Sequence, residues 1–137
     1  MANEGTKDMP IVLSAKTLIG DKVINLAGKD LGRIEDIMLH VDTAHIAYAV
    51  LSFGGVLGIG NKFFAVPWGA LRLDARHKKF ILDVDEAELR QAPGFDKDNW
   101  PNFEDHEFGM AMYAYYKFTP SFDQDFLKAE RLDSKAG

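Results

Sequence analysis

The sequence predicts a mainly β protein, a small barrel of six antiparallel strands followed by a C-terminal helical extension. Short β-like segments separated by turn residues recur up to residue 84, at the spacing typical of small barrels and sandwiches. Apolar residues at helical spacing occur only after that point. The chain has 137 residues, of which 47% are hydrophobic and 27% charged, which is enough for one globular core.

Turn chemistry bounds each predicted strand. Glycine and polar residues interrupt the apolar segments at Ala27–Lys29, at Asp42–Ala44 and around His77. The segment Ile46–Phe53 is apolar on both alternating faces, so we expect it to be covered on both sides. The six predicted strands are Leu18–Ile24, Leu31–Val41, Ile46–Phe53, Lys62–Val66, Leu71–Leu73 and Phe80–Val84.

Helical signals follow the last strand. Asp85 and Glu88 have the spacing of a capping box, which predicts a short helix that ends near Ala92–Gly94. Asp105 is the expected N-cap of a second helix from about His106 to Lys117. The predicted apolar face of this second helix comprises Phe108, Ala111, Met112, Tyr115 and Tyr116.

These patterns divide the chain into three parts. Residues 1–14 are a polar N-terminal segment, and residues 15–95 are the barrel domain. Residues 96–137 are an aromatic-rich connector and a helical extension, with another helix expected after Pro120. No internal repeat is visible.

The stretch SFGGVLGIGNKFFAVPW, residues 52–68, raises the question of a phosphate-binding loop. Such a loop requires Ser or Thr directly after the lysine, but Phe63 follows Lys62. Phe63 also occupies the position of the third glycine of a dinucleotide-binding pattern, and a strand rather than a helix is expected there. We therefore predict a glycine-permitted hairpin loop.

Composition excludes several classes of protein. The net charge of -5 argues against nucleic-acid binding through phosphates, and the lack of cysteine excludes disulfides and thiolate metal sites. The polar start Met1–Pro10 does not look like a secretory signal. The uncharged run Ile46–Asn61 is shorter than the ~20 residues that a membrane helix needs. We expect a soluble, cytoplasmic protein without membrane insertion.

The segments LIGDKVINLAGKDLGRIEDIMLHVDTAHIAYAVLSFGG, KFFAVPWGALRLD and KKFILDVDEAELRQAPGFDKDNWP resemble the PRC-barrel family, named after the cytoplasmic domain of the photosynthetic reaction-centre H subunit. The resemblance covers roughly Ala15–Pro101. Its specific features are Gly20, Gly28, Gly32, the strand Ile46–Val50, and Val66-Pro67-Trp68 leading to Leu71.

This resemblance implies a six-stranded antiparallel barrel that acts as a binding module without a shared catalytic residue. Family members include an assembly subunit that supports electron transfer, a ribosome-maturation factor that binds a ribosomal protein, and many free-standing bacterial proteins of unknown role. We expect this chain to be similar to the free-standing members. We expect it to differ from the first context in having no transmembrane helix before the barrel, and from the second in having no additional N-terminal domain.

Candidate chemical sites are few. His40, His45 and Asp42 would form a three-ligand surface metal site if the hairpin register placed both histidines on one face, and otherwise they are ordinary hairpin residues. The acidic run Asp83–Glu88 would suit calcium, but helix capping already accounts for two of its carboxylates. Ser52 lacks the nucleophile-elbow pattern. We therefore expect no enzyme, no metal and no cofactor.

Large apolar residues outside the barrel predict an interaction surface. They either fold back onto their own barrel or contact a second subunit or another protein, and a homo-oligomer, with a dimer favoured, is expected. The apolar tip of the glycine loop is a second candidate contact. The predicted interaction residues are Val56, Leu57, Ile59, Phe103, Phe108, Met112, Tyr115, Tyr116, Phe122 and Phe126.

Two function hypotheses remain open on this basis. The first is a non-catalytic protein-interaction and assembly module. The alternative is a barrel whose cavity, lined by Phe53, Phe64 and Trp68, holds a small hydrophobic molecule similar to a quinone. A barrel of six strands is normally filled by its own side chains, which weighs against the alternative.

Overall fold

The computed structural model describes residues 12–54 and 61–117, which form a mainly β fold of one six-stranded sheet with short helices. The strands are β1 Lys22–Ile24, β2 Asp30–His40, β3 His45–Gly54, β4 Asn61–Pro67, β5 Leu71–Asp74 and β6 Lys79–Leu82. The α-helices are α1 Ala15–Leu18, α2 Glu86–Gln91 and α3 His106–Tyr115, and a 3₁₀ turn spans Trp68–Ala70. The sheet has the order β4-β3-β2-β1-β6-β5.

The sheet is a mixed half-barrel, so the prediction of an entirely antiparallel barrel is wrong in one pair. Strands β1 and β6 run parallel, with Val23 opposite Phe80 and Ile24 opposite Ile81. The other pairs are antiparallel. Four strands separate β1 from β6 along the chain, so no tight turn imposes an antiparallel pairing on them. The mainly β, barrel-like fold is confirmed.

The core lies on both sides of β3, as predicted. Residues Ala47 to Leu51 are all buried. Register places Phe64 and Val66 of β4 on the same face as Leu51 and Ala49, whereas Tyr48 and Val50 point to the opposite face. Each face of β3 therefore needs its own covering layer, and the C-terminal segment supplies one of them.

The first helix departs from the prediction of a strand over Leu18–Ile24. Only Lys22–Ile24 is a strand, and Leu18 ends α1. The Ser14 side chain accepts a hydrogen bond from the Lys16 backbone N–H and caps this helix. The capping residue lies before the apolar run, so the apolar pattern alone gave the wrong element.

Both predicted helix caps in the C-terminal part are confirmed. The Asp85 carboxylate accepts from the Glu88 N–H at 2.7 Å, and the Glu88 carboxylate accepts from the Asp85 N–H at 3.2 Å. Asp105 accepts from the Glu107 N–H at 3.0 Å. The glycine-rich stretch joins the antiparallel strands β3 and β4, with Gly54 opposite Asn61, as expected of a hairpin.

Candidate interaction surface

An aromatic layer covers the face of β3 and β4 that carries Tyr48. Tyr48 packs against Phe103, Phe108 and Tyr113, with ring centroids 5.6, 5.9 and 6.2 Å apart. These distances are typical of tilted and edge-to-face aromatic contacts. The C-terminal segment therefore packs onto the sheet of its own chain.

The connector also pairs with the edge strand β4. Phe63 and Phe95 exchange two backbone hydrogen bonds, each 2.9 Å long, and their rings lie 6.0 Å apart. Trp100 packs on both rings, with centroids 5.1 Å from Phe95 and 5.7 Å from Phe63. This bridge protects part of a sheet edge that would otherwise be free to pair with another strand.

Gly94 lies where the connector passes close to β4. A Cβ atom at this position would lie 2.9 Å from the Phe63 carbonyl oxygen, so only glycine permits the connector to approach β4 this closely. The turn at Ala92–Gly94 thus has a second role besides ending α2. It sets the distance at which the aromatic connector crosses the edge of the sheet.

The predicted interaction residues within the described part of the chain lie on this aromatic layer and on α3. Met112 and Tyr116 are buried, and Phe103, Phe108 and Tyr115 are half-buried against the core. These five residues thus follow the first alternative, in which the extension covers its own barrel. That the exposed parts of these five side chains contact a second copy of the chain stays a prediction. Val56, Leu57, Ile59, Phe122 and Phe126 lie outside the described residues.

The buried face of α3 differs in part from the predicted one. Ala111 is exposed, whereas Gly109 and Tyr113 are buried. The buried face of the helix is centred nearer Tyr113, which stacks on the Tyr48 ring. Helical spacing indicated the existence of an apolar face but not its centre.

Tyr113 and Tyr115 connect α3 to the rest of the structure, Tyr113 through the Tyr48 ring and Tyr115 through α2. The Tyr115 hydroxyl donates a 2.5 Å hydrogen bond to the Glu88 carbonyl of α2, and the Tyr115 and Tyr116 rings lie 5.1 Å apart. Burial raises the pKa of Tyr116 well above its ordinary value of 10.0, and Tyr115 and Glu88 add to this increase. The pKa of Tyr48 is raised as well, mainly by burial and to a smaller extent by the electrostatic effect of the neighbouring Tyr113. Burial thus favours the neutral form of the Tyr48 and Tyr116 hydroxyls.

A second apolar surface lies at the end of the β2–β3 hairpin. Leu39 is 58% exposed and Val41 is 85% exposed, and Leu39 lies opposite the half-buried Ile46. We call these three residues the hairpin-end patch. The sequence prediction missed it, because both exposed residues were assigned to an ordinary strand. An apolar residue directly before the turn Asp42–Ala44 was the available signal.

The family model described as PRC-barrel domain matches residues 10–89. The chain belongs to the PRC-barrel family. Among solved structures, the chain is similar to RimM, a 16S ribosomal RNA processing protein of Pseudomonas aeruginosa, with 19% sequence identity and a TM-score of 0.42. The similarity covers 59% of this chain and 48% of RimM, so the chain spans about half the length of that protein. No curated protein matches the chain.

Two residues of the ligand-binding alternative, Phe53 and Phe64, lie in the PRC-barrel core, and the third, Trp68, is half-buried against it. Phe53 and Phe64 are buried and pack on each other with centroids 6.5 Å apart. Trp68 packs on Phe80 at 5.5 Å. The Arg90 guanidinium lies 4.8 Å above the Phe53 ring and covers it from α2. The three predicted cavity residues thus take part in separate core contacts, which lend the alternative no support.

The two hairpin histidines lie directly opposite each other in the PRC-barrel sheet. His40 pairs with His45 in the last register position of β2 and β3, so both point to one face. Residues 12–54 and 61–117 nevertheless contain no group of three or more His, Asp or Glu side chains arranged to hold a metal ion. None of the helices in these ranges has the length and apolar character needed to cross a bilayer.

Proposed function

We propose that this PRC-barrel protein is a non-catalytic interaction and assembly module that associates with itself. The hairpin-end patch carries the proposal. Leu39 near the end of β2 and Val41, two residues later in the turn, both expose aliphatic side chains, and Ile46 lies opposite Leu39 on the neighbouring strand. Adjacent exposed apolar residues are typical of protein contact sites, whereas single ones are common on any surface.

The patch is large enough to contribute to a dimer. Fully burying an exposed Leu or Val side chain contributes ~1.5–3 kcal/mol. A two-fold dimer buries the same patch on both subunits, so each side chain contributes twice. The aromatic layer, by contrast, is already occupied by contacts within the chain, so we assign it mainly to the stability of the fold.

The test compares two variants that leave the core unchanged. Leu39→Thr/Val41→Thr replaces both exposed aliphatic side chains by threonine, which is polar and, being β-branched, suits the strand position of Leu39. Leu26→Thr is the matched control, because Leu26 is 63% exposed but lies in the β1–β2 turn. Sedimentation velocity over a range of protein concentrations measures the dimer dissociation constant of each.

We expect the wild-type protein and Leu26→Thr to dimerise and the hairpin variant to dissociate. Circular dichroism and thermal unfolding check that all three proteins are folded. A wild-type protein that stays monomeric at every concentration contradicts self-association. A dimer that both variants leave unchanged contradicts the role of the hairpin-end patch.

A further inference from the structure

Charge is unevenly distributed along this acidic protein. Residues 12–82 contain nine Lys and Arg against six Asp and Glu, whereas residues 83–107 contain two against nine. The sheet therefore carries a positive excess, and the connector with its two flanking helices is strongly negative. A net charge of -5 for the whole chain conceals this separation.

Three basic side chains form a row across the sheet. Register places Arg33 of β2 and Lys79 of β6 on either side of Lys22 of β1. Adjacent strands lie ≈4.8 Å apart, so the row spans about 10 Å. The neighbouring residues Val23 and Phe80 are buried on the opposite face, so the row points outward. We call Lys22, Arg33 and Lys79 the basic row.

The turn between β5 and β6 extends the positive surface beside Lys79. Arg76 and Lys78 are both exposed there. Asp74 lies opposite Lys79, but its carboxylate also contacts the His77 ring at 2.9 Å. Within the described residues, Lys22 and Lys79 form no salt bridge, and one Arg33 nitrogen donates to the Gly20 carbonyl. Lys79 is partly offset by Asp74, whose pKa is lowered by the hydrogen bond to the His77 side chain and, to a smaller extent, by Lys79. Lys22 and Arg33 have no carboxylate salt-bridge partner in the described residues.

The acidic connector offers the complementary surface. We use the name acidic connector for Asp96, Asp98 and Glu104 together with Glu107 from the first turn of α3; all four are exposed and form no salt bridge in the part of the chain that the structure describes. The acidic residues of α2 are used internally, since Glu86 pairs with Arg90 at 2.8 Å and Glu88 belongs to the capping box. The four connector carboxylates are therefore available to a positively charged partner.

We infer that two copies of the chain dock with the basic row of each copy against the acidic connector of the other. This inference rests on the proposed self-association and names the charged part of its interface. A two-fold dimer that placed the basic row against itself would be repulsive, whereas the reciprocal arrangement is attractive at both contacts. The second copy also fits better than a polyanion such as nucleic acid, because the acidic connector of the same chain repels a polyanion.

This arrangement makes association dependent on salt. The screening length is ≈10 Å at 0.1 M ionic strength and 3 Å at 1 M. The exposed contacts therefore weaken over this range. We expect the dimer dissociation constant to rise ~tenfold or more between low and high salt.

The test uses a row-reversed variant, Lys22→Glu/Lys79→Glu, and a connector-reversed variant, Asp96→Lys/Asp98→Lys/Glu104→Lys. Each variant alone faces like charges at both contacts, so we expect each to be monomeric in low salt. An equimolar mixture restores opposite charges at both contacts, so we expect a heterodimer. The control Lys29→Glu/Lys62→Glu makes the same change in charge on exposed residues outside the basic row. Sedimentation velocity and native mass spectrometry measure all four samples, and circular dichroism checks their folding.

The outcomes separate this inference from the proposed function. A wild-type dimer that is insensitive to salt and to row reversal, but is weakened by Leu39→Thr/Val41→Thr, overturns the charged docking and leaves self-association intact. Variants that dissociate alone but do not pair when mixed show that the connector is not the partner of the row. A monomeric wild type overturns both proposals, and binding of nucleic acid by that monomer through the row would assign the row to a different partner.

Discussion

Replacing Gly32 by alanine tests how closely β2 and β3 approach. Gly32 has a φ of +105°, and a Cβ atom there would overlap the Ser52 carbonyl oxygen and lie 3.1 Å from the Cβ of Phe53. An L-residue in a left-handed conformation costs ~1–2 kcal/mol, and forcing an extra carbon into a packed site costs ~1–3 kcal/mol. Together we expect a loss of ~2–5 kcal/mol, against a total stability of ~5–15 kcal/mol for a typical domain.

Gly28→Ala is the matched control. Gly28 also has a positive φ, +83°, but a Cβ atom there meets nothing within 4 Å. It should lose only the conformational part, ~1–2 kcal/mol. Urea unfolding followed by tryptophan fluorescence gives both free energies, and an unchanged m value shows that the unfolding transition is the same. Equal losses in the two variants would refute the argument that close strand approach, rather than backbone conformation alone, requires Gly32.

Three further predictions concern the helices. Tyr115→Phe should lower the free energy of unfolding by about 1 kcal/mol, because it removes the hydrogen bond to the Glu88 carbonyl. Tyr116→Phe should leave the free energy of unfolding unchanged or raise it, because the Tyr116 hydroxyl is buried without a hydrogen-bond partner in the described residues. Asp85→Ala should cost about 1 kcal/mol in urea unfolding and Asp85→Ser much less, because serine retains the N-cap; equal costs would contradict the capping role. Burial raises the pKa of Tyr116 above 10.0, so the unfolded state loses this proton first and stability falls as the pH rises above 10. Urea midpoints at about pH 9 and about pH 11 should fall less in Tyr116→Phe than in wild type, and an equal fall would contradict this assignment.

Local signals in the sequence predicted five of the six strands and the caps of α2 and α3, but not α1 and its Ser14 cap. The turn before Lys29 forms because the Asn25 side chain accepts hydrogen bonds from the Ala27 and Lys29 N–H groups, and the capping box at Asp85 has the expected geometry. The parallel pairing of β1 with β6 was missed, because it joins segments far apart in the chain and no local pattern specifies their direction. Two bulges in the β2–β3 pairing also shift side chains between faces, which simple alternation does not anticipate.

The candidate site was predicted less completely than the fold. Aromatic residues in the extension were predicted to form a large apolar surface, and sequence alone left open which surface they cover. In the described residues, three aromatic side chains of the extension pack against the Tyr48 ring, so this part of the extension covers the sheet of its own chain. The basic row was not foreseen, because Lys22, Arg33 and Lys79 are scattered in sequence and meet only through strand register.

The two proposed contact surfaces follow from where the extension packs. The connector bridges β4 through Phe63 and Phe95, and the aromatic layer occupies the Tyr48 face, so these surfaces serve the fold of a single chain. The connector and the aromatic layer do not cover the hairpin-end patch or the basic row. By folding back, the connector also carries its carboxylates to the surface of the barrel, where a second copy can reach them. The same packing that hides the aromatic residues therefore creates the acidic surface on which the charged docking depends.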